Sequence, residues 1–324
     1  MIHIKKAGFW TTVQDTGRTG TYYLGLPPSG AADKYSYYIG NMLVANPMNF
    51  AALEMTLVGS TFEFHKRTVV ALTGAPMKAY LNHDPIPFWE AFEVKEGDIL
   101  SVQECRKGVK SYLCISGGVQ VDEIYGSKST YEFNKIGGFK GRKLKEGDEL
   151  PINEPLPGAF KQVGKSVPLT YTPLLDDFQE LRFTIGLSSY LLSDEGLKNF
   201  LSTDWTVSYE SSRVAYRYKG GKVSFSQQHR PFGAAGGPAD VVDFAYPIGS
   251  VMFVNEEELI VLQNDGTTGG SYVSVGAVIS SDLDRMAQLR PKSTSRFRAI
   301  TFDQAMEARK NRKARLGKLE EILL

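Results

Sequence analysis

The sequence predicts a mainly β protein built as two related halves, with only a few short helices. Three observations carry this reading. Short strand-like apolar runs recur along the chain between Gly-rich turns, which points to barrels or sandwiches rather than to a parallel α/β sheet. Residues 59–72 line up without gaps on residues 249–262, identical at Gly59 and Gly249, at Ser60 and Ser250, and at Leu72 and Leu262. The length, 324 residues, exceeds what one core usually organises, so a first domain over 1–160 and a second over 161–324 are expected.

In chain order, Ile2 and Ile4 open a short strand. Residues 11–33 then form a long connection holding Gly17, Gly20, Gly25, Gly30, Pro27 and Pro28, with the polar group Gln14, Asp15, Arg18, Ser29 and Asp33. Such a connection is more often functional than a plain linker. Its turn chemistry also explains itself: Asp15-Thr16-Gly17 is an ordinary turn signal, and an Arg18–Asp15 pair would hold the loop. Residues 33–46 predict a helix with Asp33 as its cap, Tyr35, Ile39, Met42 and Leu43 on one face, and Asn46-Pro47 as its stop. The apolar run 50–58 contains Glu54; if buried, that carboxylate needs Arg18 or another base beside it.

From Gly59 the pattern is strand, with alternation over 61–64 and a fully buried run over 68–74. Residues 96–100 and 146–150 are near-copies built around Gly97-Asp98 and Gly147-Asp148, both turn signals. The stretch Gly126-Ser127-Lys128-Ser129-Thr130 invites a phosphate-loop reading, but it lacks the upstream glycine and a clear following helix, which excludes that motif. The proline-rich 151–173 is the expected domain boundary. Beyond it come strands over 181–185, 206–218 and 249–264, helices over 194–201 and 282–289, and a helical tail from Asp303 with Thr301 and Gln304 as a capping box. Two loops stand out there: 227–240, with Gly233, Gly236, Gly237 and His229, and 265–270, Asp-Gly-Thr-Thr-Gly-Gly.

Lys and Arg number 37 against 36 Asp and Glu, so no surface for nucleic acid or membrane is indicated. Cys105 and Cys114 are too few for a disulfide framework and suit a reduced, cytoplasmic protein; no signal-peptide pattern or membrane-length apolar run is visible. His3, His65, His83 and His229 have no metal-ligand spacing, so no metal is expected.

The motifs together resemble a known family. Val13-Gln14-Asp15-Thr16-Gly17-Arg18, Pro28-Ser29-Gly30-Ala31-Ala32-Asp33, Asn41-Met42-Leu43-Val44 and Ala52-Leu53-Glu54 are similar to those of the KipA, or allophanate hydrolase subunit 2, family. So are Leu72-Thr73-Gly74-Ala75, Gly117-Gly118, Gly126 to Thr130, the Gly147-Asp148 turn, Ser212-Arg213 with Tyr216-Arg217, and Asp265 to Gly270. The resemblance implies two tandem cyclophilin-like β-barrel domains and a KipI-type (allophanate hydrolase subunit 1) partner. It further implies the C component of an ATP-dependent 5-oxoprolinase, beside a LamB/YcsF-type subunit, opening 5-oxoproline to glutamate with ATP shared among the subunits. Fused relatives form the carboxyltransferase part of urea carboxylase, where biotin arrives on another protein; a third family role is regulatory, through binding of KipI. The second half departs more from the family pattern, at Gly186-Leu187-Ser188, at Gly249-Ser250-Val251-Met252 and at Ser271 before Tyr272.

Within that frame the residues take candidate roles. Both lactam opening and carboxyl transfer need donors around an oxyanion and a base nearby. Arg18 and Arg213 suit a substrate carboxylate or oxyanion, and equally a loop-holding ion pair, because both uses draw on the same planar fork. Asp15 is the companion catalytic candidate, to orient a base or a water. Gln14, Ser29, Asp33, Glu54, Asp265, Thr267, Thr268, Gly269 and Gly270 are the substrate-binding candidates, with helix capping the competing role for Asp33 and a hairpin turn the competing role for 267–270.

Overall fold

The computed structural model describes residues 1–226 and 237–323; the loop readings at His229, Gly233 and Gly236 fall outside them. The chain forms two compact units, one of Met1–Thr19, Ser29–Leu175 and Ala314–Leu324, the other of Gly20–Pro28 and Asp176–Lys313.

In the first unit the strands are β1 (Ile2–Lys6), β2 (Trp10–Gln14), β3 (Ala52–Thr56), β4 (Thr61–Phe64), β5 (Thr68–Gly74), β6 (Met77–Leu81), β7 (Asp84–Pro85), β8 (Ala91–Val94), β9 (Ile99–Cys105), β10 (Lys110–Ile115) and β11 (Glu149–Leu150). They make two sheets, β11-β1-β4-β9-β6-β7 and β2-β3-β10-β5-β8. Both sheets feed one core, in which Ile2, Ile4, Phe62, Phe64 and Leu100 meet Leu53, Met55, Val70, Leu72 and Leu113. The other face of the second sheet is covered as well. Val69, Ala71, Tyr112 and Cys114 pack with Tyr37, Ile39 and Leu43 of helix α1 (Lys34–Leu43). Two covered faces explain why the sequence of β5 is apolar throughout rather than alternating. The near-copied turns fold alike: Asp98 and Asp148 each accept a hydrogen bond from the amide three residues earlier, Lys95 or Lys145, at 2.7 Å, around Gly97 at φ 86° and Gly147 at φ 82°.

The second unit holds β12 (Phe178–Ile185), β13 (Trp205–Val207), β14 (Ala215–Lys219), β15 (Asp240–Ala245), β16 (Ser250–Phe253), β17 (Glu258–Leu262), β18 (Gly269–Val278) and β19 (Thr294–Ile300), with helices α2 (Asp194–Ser202) and α3 (Ser280–Met286). The sheet order is β12-β19-β13-β14-β17-β16-β18-β15, and a further pairing of β12 with β18 closes it into a barrel. Strand β18 manages this by changing partner along its length: Gly269 to Tyr272 pair with β15, and Gly276 to Val278 pair with β12. Closure leaves the ring without free edges. Phe183, Phe200, Trp205, Tyr218, Phe253 and Phe297 fill its centre. The expected capping box opens helix α4 (Phe302–Leu323): the Thr301 amide donates to Gln304 Oε1 at 3.0 Å, and the Gln304 amide to Thr301 Oγ1 at 3.3 Å.

Two long strand readings are corrected. Residues 206–218 fold as a hairpin, with the Ser212 amide bonded to the Ala215 carbonyl, which puts Arg213 in the turn. Residues 249–264 break at Asn255, whose Oδ1 accepts from the Glu257 and Glu258 amides. The internal echo survives as matching elements and not as matching pairing. β16 and β17 are hydrogen-bonded neighbours, whereas their counterparts β4 and β5 lie in different sheets.

Candidate functional site

The polar residues singled out between 14 and 33 converge in the first unit, on the 126–138 segment and the sheet beneath α1. Asp15 is 5% exposed, and its carboxylate is saturated by its own chain. Oδ1 accepts from the Gly17 amide at 2.8 Å and from the hydroxyls of Ser127 at 2.6 Å and Ser129 at 2.5 Å; Oδ2 accepts from the Lys128 amide at 2.6 Å. The Gly126 to Thr130 stretch is therefore an anion cradle, and the anion it holds is Asp15. The Ser127 and Ser129 hydroxyls and the Lys128 amide, which a phosphate would call on, are already used by Asp15. Four hydrogen bonds from its own chain thus occupy the Asp15 carboxylate.

Arg18 is 2% exposed, and its Nη2 donates to the Ser129 carbonyl at 2.5 Å. The expected link between Arg18 and Asp15 thus runs through Ser129, which bonds to both. Gly137 and Gly138, at φ 64° and 57°, close over this point: a Cβ on Gly137 would strike the Ser129 carbonyl and the Arg18 guanidinium, and one on Gly138 would strike the Thr130 side chain.

The amides from Gly30 to Asp33 are each taken by a different acceptor. Gly30 donates to Gln14 Oε1 at 3.1 Å, Ala31 to the Asp15 carbonyl at 2.8 Å, Ala32 to Glu54 Oε2 at 2.8 Å, and Asp33 to the Tyr112 hydroxyl at 2.8 Å. Gln14 completes its amide by donating to Thr12 Oγ1 and the Thr130 carbonyl. Asp33 is the cap of α1, accepting from the Ser36 amide at 3.0 Å and the Ser36 hydroxyl at 2.6 Å. Ser29, fully buried, sits at φ 55°, a left-handed backbone that a non-glycine residue keeps only when its surroundings impose it.

Glu54 is 1% exposed and has the basic partner that its burial calls for. Lys110, rather than Arg18, reaches Glu54 Oε1 at 3.4 Å, and the Tyr112 hydroxyl donates to Oε2 at 2.9 Å. Lys110 and Tyr112 stand at alternate positions of β10, and both reach Glu54.

The second-half candidates gather in the other unit. Arg213 pairs with Asp265 through both ends of its fork, Nε to Oδ2 at 2.7 Å and Nη2 to Oδ1 at 3.1 Å, and the Asp265 amide donates to the Arg213 carbonyl at 2.9 Å. Arg213 thus makes a loop-holding pair with Asp265. Thr267 Oγ1 donates to the Gly269 carbonyl at 2.7 Å, and the Thr268 carbonyl accepts from the Tyr246 amide at 3.0 Å. Gly269 and Gly270 do not form an open loop but begin β18, paired with Ala245 and Phe244. Among the described residues no group of His, Cys, Asp or Glu is placed to hold a metal, and no helix is long and apolar enough to cross a membrane.

Comparison with known proteins agrees with this architecture. The chain matches the family "Carboxyltransferase domain, subdomain A and B" over residues 24–299. It is 32% identical to a urea amidolyase of Lachancea kluyveri over 99% of this chain and 18% of that protein. It is 30% identical to the C component of the 5-oxoprolinase of Escherichia coli over 96% of this chain and 95% of that one. The crystal structure of Kluyveromyces lactis urea carboxylase superposes with a TM-score of 0.90 at 31% identity, covering 100% of this chain and 29% of that chain. The chain thus spans under a fifth of the urea amidolyase and nearly the whole of the oxoprolinase component. Because the family match takes in most of its length, from the 24–33 loop through the closed barrel, the chain belongs to the carboxyltransferase domain, subdomain A and B, family.

Proposed function

We propose that this chain is the C component of an ATP-dependent 5-oxoprolinase, opening 5-oxoproline to glutamate together with a KipI-type and a LamB/YcsF-type subunit in the cytoplasm. The observation that carries the reading is its correspondence, over nearly the full length of both chains, with the C component of a 5-oxoprolinase. In the reaction the lactam C–N bond breaks, a water oxygen adds to the carbonyl carbon, and the ring nitrogen leaves as an amine. A lactam carbonyl is a poor electrophile, so the step draws on conversion of ATP to ADP and phosphate. No part of ATP binding is assigned to the 126–130 loop, whose donors hold Asp15.

Arg18 is the residue of this chain assigned to the substrate carboxylate or developing oxyanion. Its guanidinium is buried, where a charge acts more strongly than in water; the Ser129 carbonyl holds it, and the missing side chain at Gly137 leaves room for it. Asp15 acts as a positioning residue for it. The base and the nucleotide site then come from partner subunits.

A second reading, the carboxyltransferase component of a biotin-dependent urea or amide carboxylase, is favoured by the close superposition on urea carboxylase, with biotin delivered on another protein. The deciding experiment is ATP-dependent glutamate release from 5-oxoproline by this chain with its two partners, each omitted in turn, and with Arg18→Ala. Turnover that requires this chain and is lost in the variant supports the first reading. Turnover unaffected by Arg18→Ala removes the role of Arg18. Absence of turnover with carboxyl transfer from carboxybiotin supports the second reading, and a stable KipI-type complex with neither activity would make the chain a regulator.

A further inference from the structure

We infer that Lys110, Tyr112 and Glu54 form a buried positioning network that sets the Ser29 to Asp33 loop for catalysis; this rests on the proposed oxoprolinase reading. The network is continuous. Lys110 Nζ lies 3.4 Å from Glu54 Oε1 and donates to Thr56 Oγ1 at 2.8 Å; Glu54 Oε2 accepts from the Tyr112 hydroxyl at 2.9 Å and from the Ala32 amide at 2.8 Å; the Tyr112 hydroxyl accepts from the Asp33 amide at 2.8 Å. Glu54 is 1%, Tyr112 0% and Lys110 6% exposed.

The polarity of these bonds is fixed. A backbone N–H can only donate, so the Tyr112 oxygen must accept from Asp33, and its own proton must go to Glu54. Burial, with Glu54 and Asp33 nearby, pushes the Tyr112 hydroxyl well above its ordinary titration range, so it remains a donor. Glu54 as a carboxylate can receive both neutral donors and the lysine; Lys110 opposes its charge inside the fold.

What the network holds is strained backbone. Ser29 at φ 55° and Gly30 at φ 88° precede the two amides that Glu54 and Tyr112 take, and two different strands, β3 and β10, supply those acceptors. A helix cap alone needs only Asp33 and Ser36. The added buried ion pair and phenol do more than start a helix: they fix where the loop stands relative to the sheet. Displacement of a positioned group by about an ångström is costly to a reaction even when the fold is intact.

The test uses Tyr112→Phe and Lys110→Met in the full chain. Hydrogen exchange at the amides of residues 30–34 is read first, then turnover in the assembled complex, each variant alone and combined with Ser29→Ala. The expected result is faster exchange confined to this loop and a fall in kcat of about tenfold at unchanged KM for ATP. The fall should shrink when Ser29→Ala is already present, because both changes act through one loop. Unchanged exchange in both variants overturns the network; faster exchange with unchanged kcat, or fully additive losses, overturns its catalytic role. Should the native complex fail to turn over 5-oxoproline, the oxoprolinase reading falls and with it the catalytic role, while the exchange arm still decides whether the network holds the loop.

Discussion

Ser129 and Asp15 exchange two hydrogen bonds: the Asp15 amide donates to the Ser129 hydroxyl at 2.9 Å, and that hydroxyl donates to Asp15 Oδ1 at 2.5 Å. The Ser129 carbonyl meanwhile accepts from Arg18. One serine thus ties the buried acid to the buried base. Ser129→Ala removes a donor and an acceptor at once and leaves the Asp15 amide without that acceptor. The expected cost is about 1–3 kcal/mol in urea unfolding. A loss of partner-dependent turnover should accompany it; unchanged turnover would separate Asp15 from the function of Arg18.

Gly137 and Gly147 offer a controlled comparison. Both have left-handed backbones, but a Cβ at Gly147 meets nothing within 4 Å, whereas one at Gly137 strikes Ser129 and Arg18. Gly147→Ala should cost only the conformational penalty, about 1–2 kcal/mol. Gly137→Ala should cost clearly more in the same thermal or urea unfolding measurement and should lower turnover. Equal costs would contradict the close approach.

Arg213 and Asp265 are both nearly buried, with side chains 9% and 11% exposed. Asp265→Ala leaves the guanidinium in place without this partner, and the expected loss is about 3–5 kcal/mol. Arg213→Lys keeps the charge but not the fork, so it should recover only part of that stability. Full recovery by lysine would show that charge alone, and not the two-point geometry, holds the loop.

Asp148 gives a pH test. The bidentate hydrogen bonds from Arg142, at 2.7 and 2.8 Å, hold its carboxyl below the ordinary value of 3.8. A carboxyl lowered on folding adds stability that is present above its unfolded value and lost as pH falls through the folded one. The stability difference between the native chain and Asp148→Asn should therefore be constant near neutrality and shrink below pH 3.8, as read from urea midpoints across pH. A difference that persists in acid would assign the effect to the neutral hydrogen bonds.

Much of this was readable in the chain. The helix cap at Asp33, the capping box at Thr301 and Gln304, the paired Gly-Asp turns and the β character of both halves are local properties. Each depends on residues a few positions apart, so its chemistry is written in the sequence. The polar cluster at 14–33 was also visible as an unusual concentration of polar groups and bend-formers. Its partners were not. Glu54 called for a base, and both Arg18 and Lys110 met that need; only strand register, with Glu54 opposite Tyr112, selected the lysine.

Local chemistry in the chain marks where strands and turns fall, apart from the breaks within 206–218 and 249–264, and which polar residues are too costly to bury alone. The tertiary structure alone decided who satisfies them. The Gly126 to Thr130 loop looks from sequence like a failed phosphate site, and it becomes an anion cradle because folding brings Asp15, more than a hundred residues away, into its donors. The echoed strands 61–64 and 250–253 pair differently for the same reason. Backbone propensity acts over a few residues, while pairing and burial are settled by contacts between residues distant in the chain.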